Sequence, residues 1–159
     1  MIRTGIGYDS HRFSGKKGLV LGGVFIPEAP GLEGHSDADV VIHALIDALL
    51  GAAGAGNIGR LFPDDDPRYK GIASSVLLEK TMEVLAPARV IQNIDVIILA
   101  EEPRIEPYSA AMQKKLAALC GIMPEQVSVK GKSNEGMGFV GRREGIASFV
   151  SVLIRGEEI

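Results

Sequence analysis

The sequence predicts an α/β (α+β) fold, a ferredoxin-like sandwich in which a mixed sheet of about four main strands carries helices on one face and a small hairpin stands beside it. Three observations lead there. Short β-branched runs alternate with longer segments of helical apolar spacing, and a Gly22-Gly23 pair separates two apolar triplets. The chain of 159 residues is also 46% hydrophobic, enough for one well-filled core, so residues 1–159 are expected to form a single domain.

Taken in order, residues 2–8 read as a strand that carries Asp9 and His11 to its C-terminal end. Leu19-Val20-Leu21 and Val24-Phe25-Ile26 flank the two glycines as a hairpin, after which Pro27, Pro30 and Gly31 break the pattern. Ser36 is the expected N-cap of a first helix, with Asp39 three residues on completing a capping-box-like start. Helical spacing runs over 37–53, and Gly51, Gly54 and Gly56 mark the exit. Two prolines bracket Asp64-Asp65-Asp66, which makes 62–67 irregular. Residues 72–85 form a second helix closed by Pro87, and 90–100 a strand buried on at least one face. Pro107 opens a third helix to about residue 119, and strands at 127–130 and 146–154 complete the sheet.

Composition excludes several functions. A net charge of −3, with basic residues scattered in short pairs, argues against a broad nucleic-acid surface, while local clusters and metal ions still suit a small anionic substrate. No run approaches the ~20 apolar residues of a membrane span, and the first five residues lack a secretory profile, so the chain reads as cytoplasmic with no membrane partner. The single cysteine, Cys120, cannot form an intrachain disulfide and reads as a buried small hydrophobe at a helix end.

The chemistry gathers at element ends. Asp9 and His11, two apart in a strand, emerge on one face, while His43 shares a helix face with Asp39 and Asp47 at four-residue spacing. Two imidazoles and a carboxylate leave a fourth position open, the pattern of a catalytic zinc; the residues alone also admit a strand-end acid with two incidental histidines. Gly34-His35-Ser36-Asp37 precedes a helix, where backbone N–H groups and the His35 and Ser36 side chains suit a phosphate, or where Ser36 is simply a cap. Asn57-Ile58-Gly59 and Phe62-Pro63-Asp64-Asp65-Asp66 read either as partners for polyol hydroxyls or as a solvated turn. Lys132-Ser133-Asn134-Glu135 follows a strand, and Glu135 is either a solvated loop acid or a ligand for a hard cation such as Mg2+.

Five motifs in order carry a resemblance over essentially the whole chain. They are Gly5-x-Gly7-x-Asp9-x-His11-x-Phe13, Gly34-His35-Ser36-Asp37-Ala38-Asp39, His43-Ala44-Leu45-x-Asp47-Ala48-Leu49-Leu50-Gly51-Ala52, Gly59-x-Leu61-Phe62-Pro63-Asp64 and Glu135-x-x-Gly138-Phe139-x-Gly141-Arg142. They resemble the 2-C-methyl-D-erythritol 2,4-cyclodiphosphate synthase family of the non-mevalonate isoprenoid pathway, in its monofunctional form. The resemblance implies a metal-dependent phosphorus–oxygen lyase that cyclises 4-diphosphocytidyl-2-C-methyl-D-erythritol 2-phosphate and releases CMP.

By that resemblance Asp9, His11 and His43 hold one Zn2+, and Glu135 helps hold Mg2+ or Mn2+ against the substrate diphosphate. His35 and Ser133 are the catalytic contacts, with Ser36 beside the phosphate and erythritol end. Asn57, Ile58, Gly59, Phe62, Pro63, Asp64, Asp65 and Asp66 cradle the methylerythritol, with Phe139 and Arg142 near a central channel. Ala100, Pro103, Arg104, Ile105, Glu106, Lys132, Ser133, Asn134 and Glu135 bind cytidine and phosphate. The resemblance also implies a homotrimer with active sites between subunits and an isoprenoid diphosphate as a channel ligand. Asn57 departs from an Asp common in the family, Lys132-Ser133-Asn134 from a Thr-rich version, and Ala38 from a frequent Gly in what reads as the helix's first turn. A zinc-dependent phosphoesterase admitting water, and a non-catalytic isoprenoid-diphosphate binding module, are the alternatives; product analysis separates them.

Overall fold

The computed structural model describes residues 1–63, 65–85 and 89–156. Along the chain lie β1 (Ile2–Leu21), β2 (Val24–Leu32), α1 (Val40–Ala53), α2 (Ile58–Leu61), α3 (Ser74–Leu85), β3 (Arg89–Leu99), α4 (Glu106–Cys120), β4 (Val127–Lys132), α5 (Gly138–Gly141) and β5 (Gly145–Gly156). They build one mixed sheet in the order β2-β1-β5-β3-β4. β1 runs antiparallel to β5 from Ile2 opposite Arg155 to Arg12 opposite Gly145, and β5 is antiparallel to β3. β3 and β4 are parallel, with α4 as the crossover that parallel neighbours require.

The four main strands and the hairpin are thus continuous. The second half of β1 leaves β5 and pairs with β2, closing at Leu21 opposite Val24. Gly22 and Gly23 between them have φ of 57° and 73°, the left-handed pair that a two-residue hairpin turn demands. β1 therefore extends well past residue 8. β2 likewise runs on to Leu32 through Pro27 and Pro30, because it is the edge strand and need not offer every N–H to a neighbour.

The start of α1 also departs from expectation. Its N-cap is Asp39, whose carboxylate accepts the N–H groups of Val41 and Ile42; Ser36 lies outside the helix. Ala38 has φ of 58°, a left-handed conformation that cannot continue into a right-handed helix, so the 36–38 segment is a loop and Ala38 is not in a first turn. The same Asp39 carboxylate accepts from Gly22 N (2.9 Å) and Gly23 N (2.6 Å). Asp39 thereby locks the hairpin turn to the helix start.

The helices cover one face of the sheet. Glycine dictates how closely: a Cβ on Gly7 would lie 1.8 Å from the Ala44 carbonyl oxygen, and one on Gly5 1.9 Å from that of Ala48. Backbone of β1 and backbone of α1 are in direct contact, and α1, buried along most of its length, forms the centre of the core. The opposite face of the sheet is apolar and open. Ile2 is 70% and Ile6 73% exposed, and the Tyr8 and Phe149 rings pack across strands at 4.7 Å. Among the described residues no helix is long and apolar enough to cross a membrane.

Cys120 is the last residue of α4 and is buried, as its sequence position predicts. Burial pushes its thiol from the ordinary 9.0 up to about 12. Above pH 9.0 the unfolded chain ionises this thiol while the folded chain does not, so the associated stability is intact below 9.0 and declines as pH climbs toward about 12. Cys120→Ala is expected to flatten the alkaline limb of a pH–melting curve. Parallel limbs for both proteins would show that another group controls it.

Candidate active site

The inward face of β1 presents Asp9 and His11, and α1, seated against Gly7, presents His43 directly above them. Asp9 Oδ2 lies 2.9 Å from His11 Nε2 and 3.0 Å from His43 Nδ1, and the two ring nitrogens are 3.1 Å apart. His11 Nδ1 is 2.6 Å from the Glu33 carbonyl. A carbonyl only accepts, so Nδ1 donates its proton to Glu33 and Nε2 is the nitrogen left facing Asp9, available to a cation. His43 Nε2 faces two hydroxyls, Ser74 Oγ at 2.9 Å and Ser36 Oγ at 3.0 Å.

Burial alone would raise the Asp9 carboxyl, but the hydrogen bonds and charges of His11 and His43 overcome it and bring the pKa down to about 2. Burial alone would lower His11, but the hydrogen bond and charge of Asp9 outweigh it and the imidazole is raised. Both shifts have one origin: the space between these groups favours positive charge. Donor atoms of all three lie within 4.8 Å of one another, and among the described residues this is the one cluster of its kind. Ligands of a tetrahedral zinc stand about 3.3 Å apart, close to the spacing found here. The donor set and its geometry therefore fit a divalent cation, and the fit includes zinc.

A cavity of about 380 Å³ opens over the cluster, walled by Gly34, His35 and Ser36 on one side and by Ile58, Gly59 and Phe62 on the other. Asp47 Oδ1 accepts from Ile58 N at 2.7 Å and so anchors α2 to α1. The Phe62 ring is braced by Tyr69, with centroids 5.2 Å apart. Other expected erythritol contacts are spent locally. Asn57 Oδ1 caps α2 by accepting from Arg60 N at 3.0 Å, and Asp66 pairs with Arg68 at 2.6 Å. Pro63 and Asp65 are exposed beyond the cavity wall, and Asp64 lies outside the described residues.

A second hollow, about 350 Å³, lies at the C-terminal ends of the parallel pair β3 and β4, where α/β sheets commonly bind ligands. Ala100, Arg104, Ile105, Glu106, Lys132 and Ser133 line it. Pro103 lies in the same loop without lining the hollow. Glu101 Oε1 accepts from Asn134 N (2.9 Å) and Gly136 N (3.4 Å), holding the two loops together. Ser133 Oγ donates to Glu135 Oε1 at 3.0 Å, and Glu135 itself has φ of 52°, a strained backbone for a residue with a side chain.

The two hollows share no lining residue, and β5 and β3 stand between β1 and β4. Three strand spacings put them roughly 14 Å apart across the sheet. Glu135 is accordingly absent from the Asp9 cluster. Phe139 lines a further hollow with Ser10 and Arg12 that meets the first cavity at His11, and Arg142 is paired with Glu144 at 2.6 Å. Sequence reasoning missed Ser74 and Tyr69 as parts of the first cavity's surroundings. Neither belongs to a recognisable motif; the fold alone brings them in.

The chain matches the YgbB family over residues 2–155. A 2-C-methyl-D-erythritol 2,4-cyclodiphosphate synthase of Caldicellulosiruptor bescii is 51% identical over 155 residues, which is 97% of this chain and 99% of the relative. Among solved structures, the bifunctional IspDF of Campylobacter jejuni superposes with a TM-score of 0.94 at 38% identity, covering 99% of this chain and 43% of that one. The CDP complex of IspF from Plasmodium falciparum superposes with a TM-score of 0.86 at 31% identity, covering 99% and 97%. Sequence identity, a shared fold and a nearly full-length family match converge on one conclusion: this chain belongs to the YgbB family of 2-C-methyl-D-erythritol 2,4-cyclodiphosphate synthases.

Proposed function

We propose that this enzyme cyclises 4-diphosphocytidyl-2-C-methyl-D-erythritol 2-phosphate to the 2,4-cyclodiphosphate, in the cytoplasm, as a metal-dependent phosphorus–oxygen lyase. The observation that carries the reading is the Asp9–His11–His43 cluster at the floor of a cavity whose wall offers His35 and Ser36. In the reaction an oxygen of the 2-phosphate bonds to the β-phosphorus, and the bond from that phosphorus to the bridging oxygen breaks, releasing CMP. The nucleophile is already anionic, so the protein's task is to fold the substrate in line and to offset crowded negative charge.

Asp9, His11 and His43 would hold zinc, which when bound supplies Lewis-acid stabilisation of a diphosphate oxygen. His35 and Ser36 donate to the phosphate on the erythritol side, and the Ile58, Gly59 and Phe62 wall excludes water that would otherwise hydrolyse the diphosphate. Cytidine and its phosphate would occupy the second hollow between Ala100–Glu106 and Lys132–Glu135, where Glu135 would hold Mg2+ or Mn2+ and the Ser133 hydroxyl, turned from Glu135, would donate to phosphate. The Plasmodium falciparum relative was solved as a CDP complex, which supports a cytidine nucleotide as the ligand class. Since the two hollows of one chain lie apart, the reading places each complete site between subunits of a homotrimer. The open apolar face of Ile2, Ile6, Tyr8 and Phe149 supports such burial, with Phe139, Arg142 and an isoprenoid diphosphate at the channel.

Phosphorus NMR of the reaction with zinc and magnesium tests the assignment. A cyclic diphosphate with equimolar CMP is expected; an open-chain product would make the protein a hydrolase instead. Glu135→Gln is expected to raise the magnesium concentration needed for half-maximal rate by about tenfold while zinc content stays unchanged. An identical magnesium titration would remove Glu135 from that role.

A further inference from the structure

His43 is held from behind by a chain of hydrogen bonds that the proposed ligand set does not include. Ser74, the first residue of α3, is fully buried, and its Oγ lies 2.9 Å from His43 Nε2. The same Oγ donates to Asp37 Oδ1, and Ser74 N donates to Asp37 Oδ2 at 3.1 Å. A carboxylate only accepts, so the Ser74 hydroxyl proton is committed to Asp37. Its oxygen is then left to accept, and the partner at hand is His43 Nε2–H. When His43 Nδ1, 3.0 Å from Asp9 Oδ2, binds a cation, the ring proton is carried on Nε2, where Ser74 Oγ is placed to accept it.

We propose that Asp37 and Ser74 are positioning residues for the metal site: through Ser74 Oγ, the Asp37 carboxylate fixes the tautomer and ring orientation of His43 and raises the electron-donating power of its Nδ1. The arrangement is a carboxylate–histidine pairing of the kind that supports metal ligands, with a serine inserted. Ser36 Oγ, 3.0 Å from the same Nε2, is a weaker version of the contact. It accepts from Ala38 N at 3.2 Å, lies 3.3 Å from Ser74 Oγ and makes no direct bond to a carboxylate, so it reaches Asp37 only through Ser74. Asp37 is itself fixed, since its backbone N–H donates to the Ile72 carbonyl at 3.2 Å. The chain of bonds therefore ties the cation site to the start of α3, immediately after the segment that walls the substrate cavity.

The inference rests on the metal assignment above, and the test separates the two. Ser74→Ala deletes only the hydroxyl and leaves the Ser74 N bond to Asp37 in place. The zinc dissociation constant is measured by chelator competition for the wild-type protein, for Ser74→Ala and for Ser74→Thr, alongside melting of the metal-free forms and the His43 Nε2–H proton resonance of the zinc-loaded forms. Ser74→Ala is expected to weaken zinc about tenfold or more and to shift that resonance upfield with faster solvent exchange, while the metal-free melting temperature holds. Ser74→Thr, which keeps the hydroxyl, is expected to restore both. Equal zinc affinity in wild type and Ser74→Ala overturns the positioning role and leaves the metal assignment standing. A loss of affinity matched by a loss of metal-free stability makes Ser74 merely structural. Failure of the wild-type protein to take up zinc overturns both.

Discussion

His43→Ala is expected to leave the purified protein with less than about one-tenth of the wild-type zinc and to slow turnover by roughly 10³-fold. The imidazole supplies one of the three protein donors of the Asp9–His11–His43 cluster, and its removal leaves a carboxylate and one ring nitrogen, too few to hold the cation against water. Lewis-acid stabilisation of a crowded diphosphate is worth several kcal/mol, and about 4 kcal/mol corresponds to that rate loss. The fold should survive. The His43 side chain is 12% exposed at the cavity floor, so truncation enlarges a solvated space rather than opening a sealed void. Elemental analysis and a melting curve together decide the matter: full zinc occupancy would exclude His43 as a ligand, and a collapsed melting temperature would make the activity loss uninformative.

The largest effect on stability is expected at Asp39. Its carboxylate serves four backbone N–H groups, those of Gly22, Gly23, Val41 and Ile42, and the residue is fully buried. Asp39→Ala forfeits a helix N-cap, worth about 1 kcal/mol, and strands the hairpin N–H groups at about 1–3 kcal/mol each. A total of about 3–7 kcal/mol follows, or a melting temperature lower by roughly 6–28 °C for a chain of this length. Asp39→Asn keeps one acceptor and is expected to lose about half as much. A drop in the alanine variant no larger than that of an ordinary surface change would mean that the turn and the helix start hold without this clamp.

Much of the fold was legible because its periodicities are strong. The helices of α1, α3 and α4, the hairpin glycines and the last three strands fall within a few residues of their expected places. Errors arose where long-range contacts override local signals. The four-residue spacing puts Asp39 with His43, but nothing local shows that its carboxylate is spent on the N–H groups of Gly22 and Gly23. Ser36 has the chemistry of a cap, but the left-handed Ala38 delays the helix and leaves its hydroxyl beside His43. The Asp9–His11–His43 grouping was legible because spacing on a strand and on a helix fixes side-chain direction. Ser74 and Tyr69 were not, since nothing local to either announces what will face it. Nor does the order of residues reveal that Glu135 and Ser133 sit three strands away from the cluster in the same chain.

The bare backbone at Gly5 and Gly7 has a consequence for the Asp9–His11–His43 cluster. Strand and helix touch main chain to main chain there, so the backbone spacing that sets Asp9 and His11 against His43 is fixed. The socket is cut to size by the scaffold before any ion arrives. Stripping it with a chelator should leave an empty seat of unchanged dimensions, and refilling it should require no refolding.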